Sequence, residues 1–244
     1  MTAVSAPVPH PPRRTPYART LRWLVRAQVK LAGWFAGILA VLWVTVVVAV
    51  NTFGSVEMSI MQFARQGAGV WFPFSIAVSF CAAAIGPHVA VGMTRSVFAR
   101  AAISTALVMA VVYGSVVTLG FAVERVVYRA NGWDQAITDA SWSFVDVGDL
   151  GAVVLDATLI IAAASLSGLL VGAVYLRYGA WVGTLTLPLT VGPVLVGLAA
   201  LSRGVQIDGL DQGARFAIVV GIAVLLAAAF FAVVRTIPIP PPKS

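Results

Sequence analysis

Asp156 and His88 are the two ionisable side chains that fall inside otherwise charge-free stretches of this 244-residue chain. An acid placed in hydrocarbon costs a few kcal/mol on insertion scales, so it faces protein or water and is a functional candidate by default. The chemistry open to an acid and an imidazole is a proton relay. Two facts weigh against a direct pair: His88 belongs near the opposite face of the membrane from Asp156, and Pro87 beside it suits a hydrogen-bonded residue at a helix kink. Asp156 has two readings. It lies about 10 Å along a helix from Asp149 at 1.5 Å per residue, so it is either intramembrane or still among the headgroups. Other chemistry has little to work with. Cys81 is the only cysteine and His10 the only other histidine, and neither HExxH nor GxSxG occurs, so no catalytic, cofactor-binding or metal-ligating set is assigned. No GxxxxGK[ST] loop is present either, and the only lysines are Lys30 and Lys243. The chain is therefore not expected to be an enzyme or to bind ATP by itself.

The elements that position these residues are six apolar windows: 31–56, 66–94, 101–123, 150–176, 178–202 and 216–234. Each reaches the roughly 20 residues that a helix needs to cross about 30 Å of hydrocarbon. With 60% hydrophobic and 10% charged residues, one membrane domain uses nearly the whole chain. The expected fold is all-α and polytopic, with six transmembrane helices across residues 31–235.

Charge fixes the expected orientation. If the windows alternate from a cytoplasmic N-terminus, one side receives Arg13, Arg14, Arg19, Arg22, Arg26 and Lys30, together with Arg95, Arg100, Arg177, Arg235 and Lys243, and no acid. The other side receives Arg65, Arg125, Arg129, Arg203 and Arg215 with eight acids. This asymmetry places both termini in the cytoplasm. The net charge of +7 is then concentrated beside anionic lipid headgroups, and nucleic acid is not an expected partner. The abundance of arginine over lysine, with much Ala, Val and Gly, suggests a GC-rich bacterial genome, and the expected location is the bacterial cytoplasmic (inner) membrane.

Residues 1–16 read as a disordered tail and 236–244 as a Pro-rich one. Between 17 and 30, Arg19, Arg22, Arg26 and Lys30 share one helical face, which predicts an amphipathic interfacial helix before the first span. Pro87, Pro188 and Pro193 are expected to kink their helices. Ala164, Gly168 and Gly172 form a small-residue stripe for close helix packing, within the chain or with another copy. The long connection 123–149 carries Trp133 and Trp142 as interfacial anchors and a set of acids expected to be solvated.

The basic helix before the first span, the six spans and the turn Gly92-Met93-Thr94-Arg95 between the second and third together resemble ABC-2-type transporter permeases. The stretch Gly168 to Gly183, with Arg177-Tyr178-Gly179 at its turn, is similar to uncharacterised bacterial members related to that group. The resemblance covers residues 17–235. It departs from the family where 202–215 is short and the larger outer segment lies between the third and fourth spans.

The resemblance implies a permease subunit of an exporter, driven by a separate ATP-binding subunit and paired with a second permease copy or homologue. It implies that Thr94, Arg95, Ser96, Phe98 and Arg100 touch the ATPase, supported by Arg22 and Arg26. A charge-poor interior suits lipophilic or amphipathic cargo. A proton-coupled carrier centred on Asp156 and a non-transporting sensory, immunity or scaffold subunit are the alternatives.

Overall fold

The computed structural model describes residues 15–53, 58–63, 67–144, 146–205 and 210–238. They form six helices: α1 (Pro16–Phe53), α2 (Ala68–Ala90), α3 (Arg95–Asn131), α4 (Leu150–Leu185), α5 (Leu187–Leu201) and α6 (Gln212–Arg235). All but α5 are long and apolar enough to cross a membrane. The chain is an all-helical, multi-pass membrane protein.

α1 starts where its sequence says it should. Thr15 Oγ1 accepts the Ala18 N–H at 3.3 Å and Pro16 occupies the first helical position, where its missing N–H costs nothing. From there the helix runs 38 residues without a break, about 57 Å at 1.5 Å per residue, well beyond the ~30 Å of hydrocarbon. The expected turn between an interfacial helix and the first span is absent, because no proline interrupts the backbone ladder between Pro16 and Phe53. The basic stripe is real, but it is the first half of one rod: Arg19, Arg22, Arg26 and Lys30 are exposed while Thr20, Leu24 and Gln28 are buried. The proposed tail 1–16 lies, up to residue 14, outside the described residues. At the other end Ile237 packs into the core, so the chain past α6 is bound to the bundle at its start.

α2 remains helical through Pro73 and Pro87, and α5 through Pro193. No interruption falls at Pro87 or Pro193. The break is at Gly179, whose φ of 80° and ψ of 179° lie outside the helical region and favour a residue without Cβ. Pro188 stands at the start of α5, where proline is well tolerated. The fifth apolar window is thus divided between the last turns of α4 and a 15-residue α5. The chain reverses there: Ser167 Oγ donates to the Thr190 carbonyl at 2.6 Å, and a Cβ at Gly197 would touch Ile160.

α4 is the hub and packs on α2, α3, α5 and α6. Its membrane window is 83% buried, against 6% for that of α1. A helix apolar on all sides belongs in the centre of a bundle, and every residue from Ile160 to Val174 is buried. The small residues decide how close α2 comes. A Cβ at Gly168 would collide with the Phe74 carbonyl oxygen, and one at Gly172 would lie 2.8 Å from that of Val78. The stripe therefore faces α2 of the same chain.

Gly168→Val is expected to cost about 1–3 kcal/mol by overpacking, read as a lower midpoint in SDS-induced unfolding from mixed micelles. Gly33→Val on the outer face of α1, where an added Cβ meets nothing within 4 Å, should leave the midpoint unchanged.

Candidate functional site

The apolar face of α3 continues past its apolar window. Val117, Phe121, Glu124 and Tyr128 recur at spacings of four, three and four, and all are buried. Glu124 is 0% exposed, whereas the acids of 123–149 were expected to be solvated. The reason is that α3 extends to Asn131 and carries Glu124 under the segment 58–63. There its carboxylate accepts from Ile60 N–H at 2.8 Å, Met61 N–H at 3.1 Å, Gln135 Nε2 at 2.9 Å and Trp43 Nε1 at 3.2 Å. Ser59 Oγ supplies a fifth donor. All five are neutral groups, and together they satisfy the acceptor sites of a buried carboxylate.

Around this anchor the connections fold into a cap at the end of the bundle that the charge pattern is expected to place outside, called the outer end below. Ser59 N–H donates to the Ala136 carbonyl at 2.9 Å, Tyr128 Oη donates to the Met58 carbonyl at 3.2 Å, and Trp142 Nε1 donates to the Gln62 carbonyl at 3.0 Å. Trp142, Phe144 and Val147 are buried with Phe121 and Val153 in a core cluster of their own. Arg203 donates to the carbonyls of Trp142 at 2.9 Å and Asp139 at 3.2 Å. Arg215 caps the end of α5, donating to Ala200 and Ser202 carbonyls at 3.2 and 2.9 Å. A cation suits helix C-terminal carbonyls.

Asp156 belongs to this cap. It is 0% exposed, lies well inside α4, and its Oδ2 accepts the Ser143 N–H at 3.1 Å. His88 lies at the other end of the bundle. Its Nε2 is 2.7 Å from Thr20 Oγ1, and its ring neighbours Trp23 and Phe98. The two residues are therefore not brought together.

The opposite end of the bundle, expected from the same charge pattern to face inward and called the inner end below, collects the remaining candidates. Tyr17 Oη donates to Ser104 Oγ at 2.8 Å, and this contact and that of Thr20 with His88 dock the basic half of α1 onto α2 and α3. Arg177 donates to the Thr236 carbonyl, joining the reversal at Gly179 to the end of α6. Between α2 and α3 lies a turn of only four residues, Val91–Thr94, with Gly92 at φ 80°. Thr94 caps α3 through the Val97 N–H at 3.3 Å. Thr94 and Arg100 are exposed, as are Arg22 and Arg26, and Arg95 and Ser96 are partly buried. Phe98 departs from the expected docking set: it is 1% exposed and packs in the core with Leu24 and Ala102, so its side chain offers no contact surface.

Cavities differ in character. Between α1, α2, α3 and α4 a cavity of about 10 Å³ is lined by Gln28, Thr105, Tyr113 and Ser165, which is room for about one water. An outer pocket of about 220 Å³ mixes Arg125 and Arg129 with Asp134 and Asp146, so it carries both signs of charge. An inner pocket of about 350 Å³ is bounded by Thr94, Arg95, Ser96 and Arg235 with Val89 and Met93. Among the described residues no three potential metal ligands cluster. No family model, characterised protein or solved structure matches the chain.

Glu124→Ala leaves five donors, one of them buried and four partly buried, without this acceptor and is expected to cost about 3 kcal/mol. Hydrogen exchange measured in nanodiscs should accelerate in 58–63 and 133–144, while the α4 core 160–174 stays protected.

Proposed function

We propose that this chain is the membrane permease subunit of an exporter powered by a separate ATPase. The observation that carries the reading is the composition of the inner end. Arg22, Arg26, Arg95 and Arg100 gather on helices α1 and α3 around a tight turn, and every acid among the described residues belongs to the outer end or to the cap. A rigid basic surface fixed to two helices is a suitable docking face for a soluble partner, and the positive-inside rule puts it in the cytoplasm with both termini. Six passes follow if the segment from Ala180 through α5 counts as the fifth: its 22 residues rise about 33 Å.

On this reading Thr94, Arg95, Ser96 and Arg100 meet the ATPase, with Arg22 and Arg26 beside them, and Phe98 holds the start of α3 in place from behind. The cavity between α1, α2, α3 and α4 holds only about 10 Å³, too little for a lipophilic cargo, so on this reading cargo would move along a surface shared with a second permease copy or homologue. The outer face of α1 suits that role: it bears Gly33, Gly37 and a 76% exposed Trp34 around an apolar recess. The proton-carrier alternative has less support, because Asp156 and His88 are engaged at opposite ends.

The test is purification of the tagged chain from its native membrane in mild detergent. A stoichiometric ATP-binding subunit should accompany it, and Arg95→Glu with Arg100→Glu should reduce that recovery at least tenfold, with a melting temperature unchanged in phosphate-free buffer and neutral detergent. Recovery of the wild-type chain alone, under conditions in which other complexes survive, would overturn the proposal.

A further inference from the structure

The inner pocket of about 350 Å³ lies where the end of α2 and its following turn, the start of α3 and the end of α6 come together. α3 contributes Arg95 and Ser96, with Thr94 as its cap, and α6 contributes Arg235. Arg95 Nε is buried and has no hydrogen-bond partner among the described residues. Thr94 Oγ1 and Ser96 Oγ lie 3.2 Å apart and bring two hydroxyls to the same wall. Arg235 stacks over Phe231 at 5.6 Å, which orients its guanidinium while leaving its N–H groups available. No acid stands at this end among the described residues to neutralise the two guanidinia. A guanidinium with an unsatisfied buried donor that lines one pocket with a second guanidinium calls for an anion with several oxygens.

We propose that this pocket binds a phosphate group, carried either by an anionic lipid of the inner leaflet or by a free phosphate. Arg95 and Arg235 supply charge and forked donors, which suit a phosphate better than a monatomic ion. Thr94 and Ser96 donate from their hydroxyls, and Val89 and Met93 form the apolar margin against which the glycerol end of a lipid would lie. The site does not depend on an ATPase partner. With a phosphate in place, α3 and α6 are bridged across the end of the bundle where the chain has no direct ion pair among the described residues.

The experiment uses the full chain in nanodiscs of phosphatidylcholine with or without phosphatidylglycerol, compared for wild type, Arg235→Gln, Arg95→Lys and the Arg95→Gln/Arg235→Gln pair. Native mass spectrometry counts retained phosphatidylglycerol. In parallel, inorganic phosphate is titrated into the phosphatidylcholine discs and the melting temperature followed. Retention of a phosphatidylglycerol by wild type, weakened about tenfold by Arg235→Gln, supports the site with lipid as its source. A phosphate-dependent rise in melting temperature that Arg235→Gln abolishes supports it with free phosphate as its source. Because Arg235 is exposed, its substitution tests the pocket even if the double variant does not fold. Equal lipid retention and equal phosphate response in wild type and Arg235→Gln would overturn the proposal. ATPase co-purification is read separately, so loss of either result leaves the other interpretable.

Discussion

In a bilayer, apolar side chains gain little by leaving lipid for protein, so a helical bundle depends on close packing and satisfied polar groups. Here that constraint falls on α4. Gly168 and Gly172 let α2 approach until its carbonyls fill the space a side chain would need, and α3, α5 and α6 complete the ring around the same helix. The consequences extend in both directions along α4. Toward the inside it leads to Gly179, where a positive φ lets the chain reverse and return as α5. Toward the outside it raises Asp156 to where its carboxylate can hold the Ser143 backbone.

The outer end faces a different requirement. Its connections are not helical, so their N–H and C=O groups need partners other than those of a helix. Two buried acids and two arginines supply them. Glu124 collects donors from 59–61, Gln135 and Trp43, while Arg203 and Arg215 collect the carbonyls of 137–142 and of the end of α5. Trp142 closes the arrangement, with its ring in the core and its indole N–H on the Gln62 carbonyl. The charges at this end are therefore largely consumed in holding backbone, which leaves a rigid lid over the bundle.

Much of the helical architecture was legible in the sequence, since long charge-free windows have few other physical outcomes. The membrane class, the exposed basic stripe on α1 and the turn before Arg95 all come from local pattern. What escaped was set by contacts distant in sequence. Glu124 read as a loop acid because it follows directly on a window, yet the spacing of Val117, Phe121 and Tyr128 already carried its buried face. Phe98 read as a surface residue of a turn, whereas helix α3 begins at Arg95 and turns Phe98 inward. Proline drew attention as the source of kinks, but the backbone yields at Gly179, where the absence of a Cβ allows a conformation that proline's fixed φ does not.

Arginine serves differently at the two ends, apart from Arg177, which at the inner end also holds a backbone carbonyl. Arg203 and Arg215 each spend their donors on several backbone carbonyls. Arg95 keeps a buried Nε without a partner, and Arg100 makes no hydrogen bond among the described residues. Desolvating a guanidinium without satisfying it costs free energy that a purely structural role does not recover. An anionic group from outside the chain would recover it at Arg95, as a lipid or free phosphate in the pocket shared with Arg235. The outer cap keeps buried donors of its own without partners among the described residues, Gln62 Nε2 and Ser143 Oγ, but these are neutral groups, whereas the unsatisfied donors at the inner end belong to guanidinia, for which burial costs more.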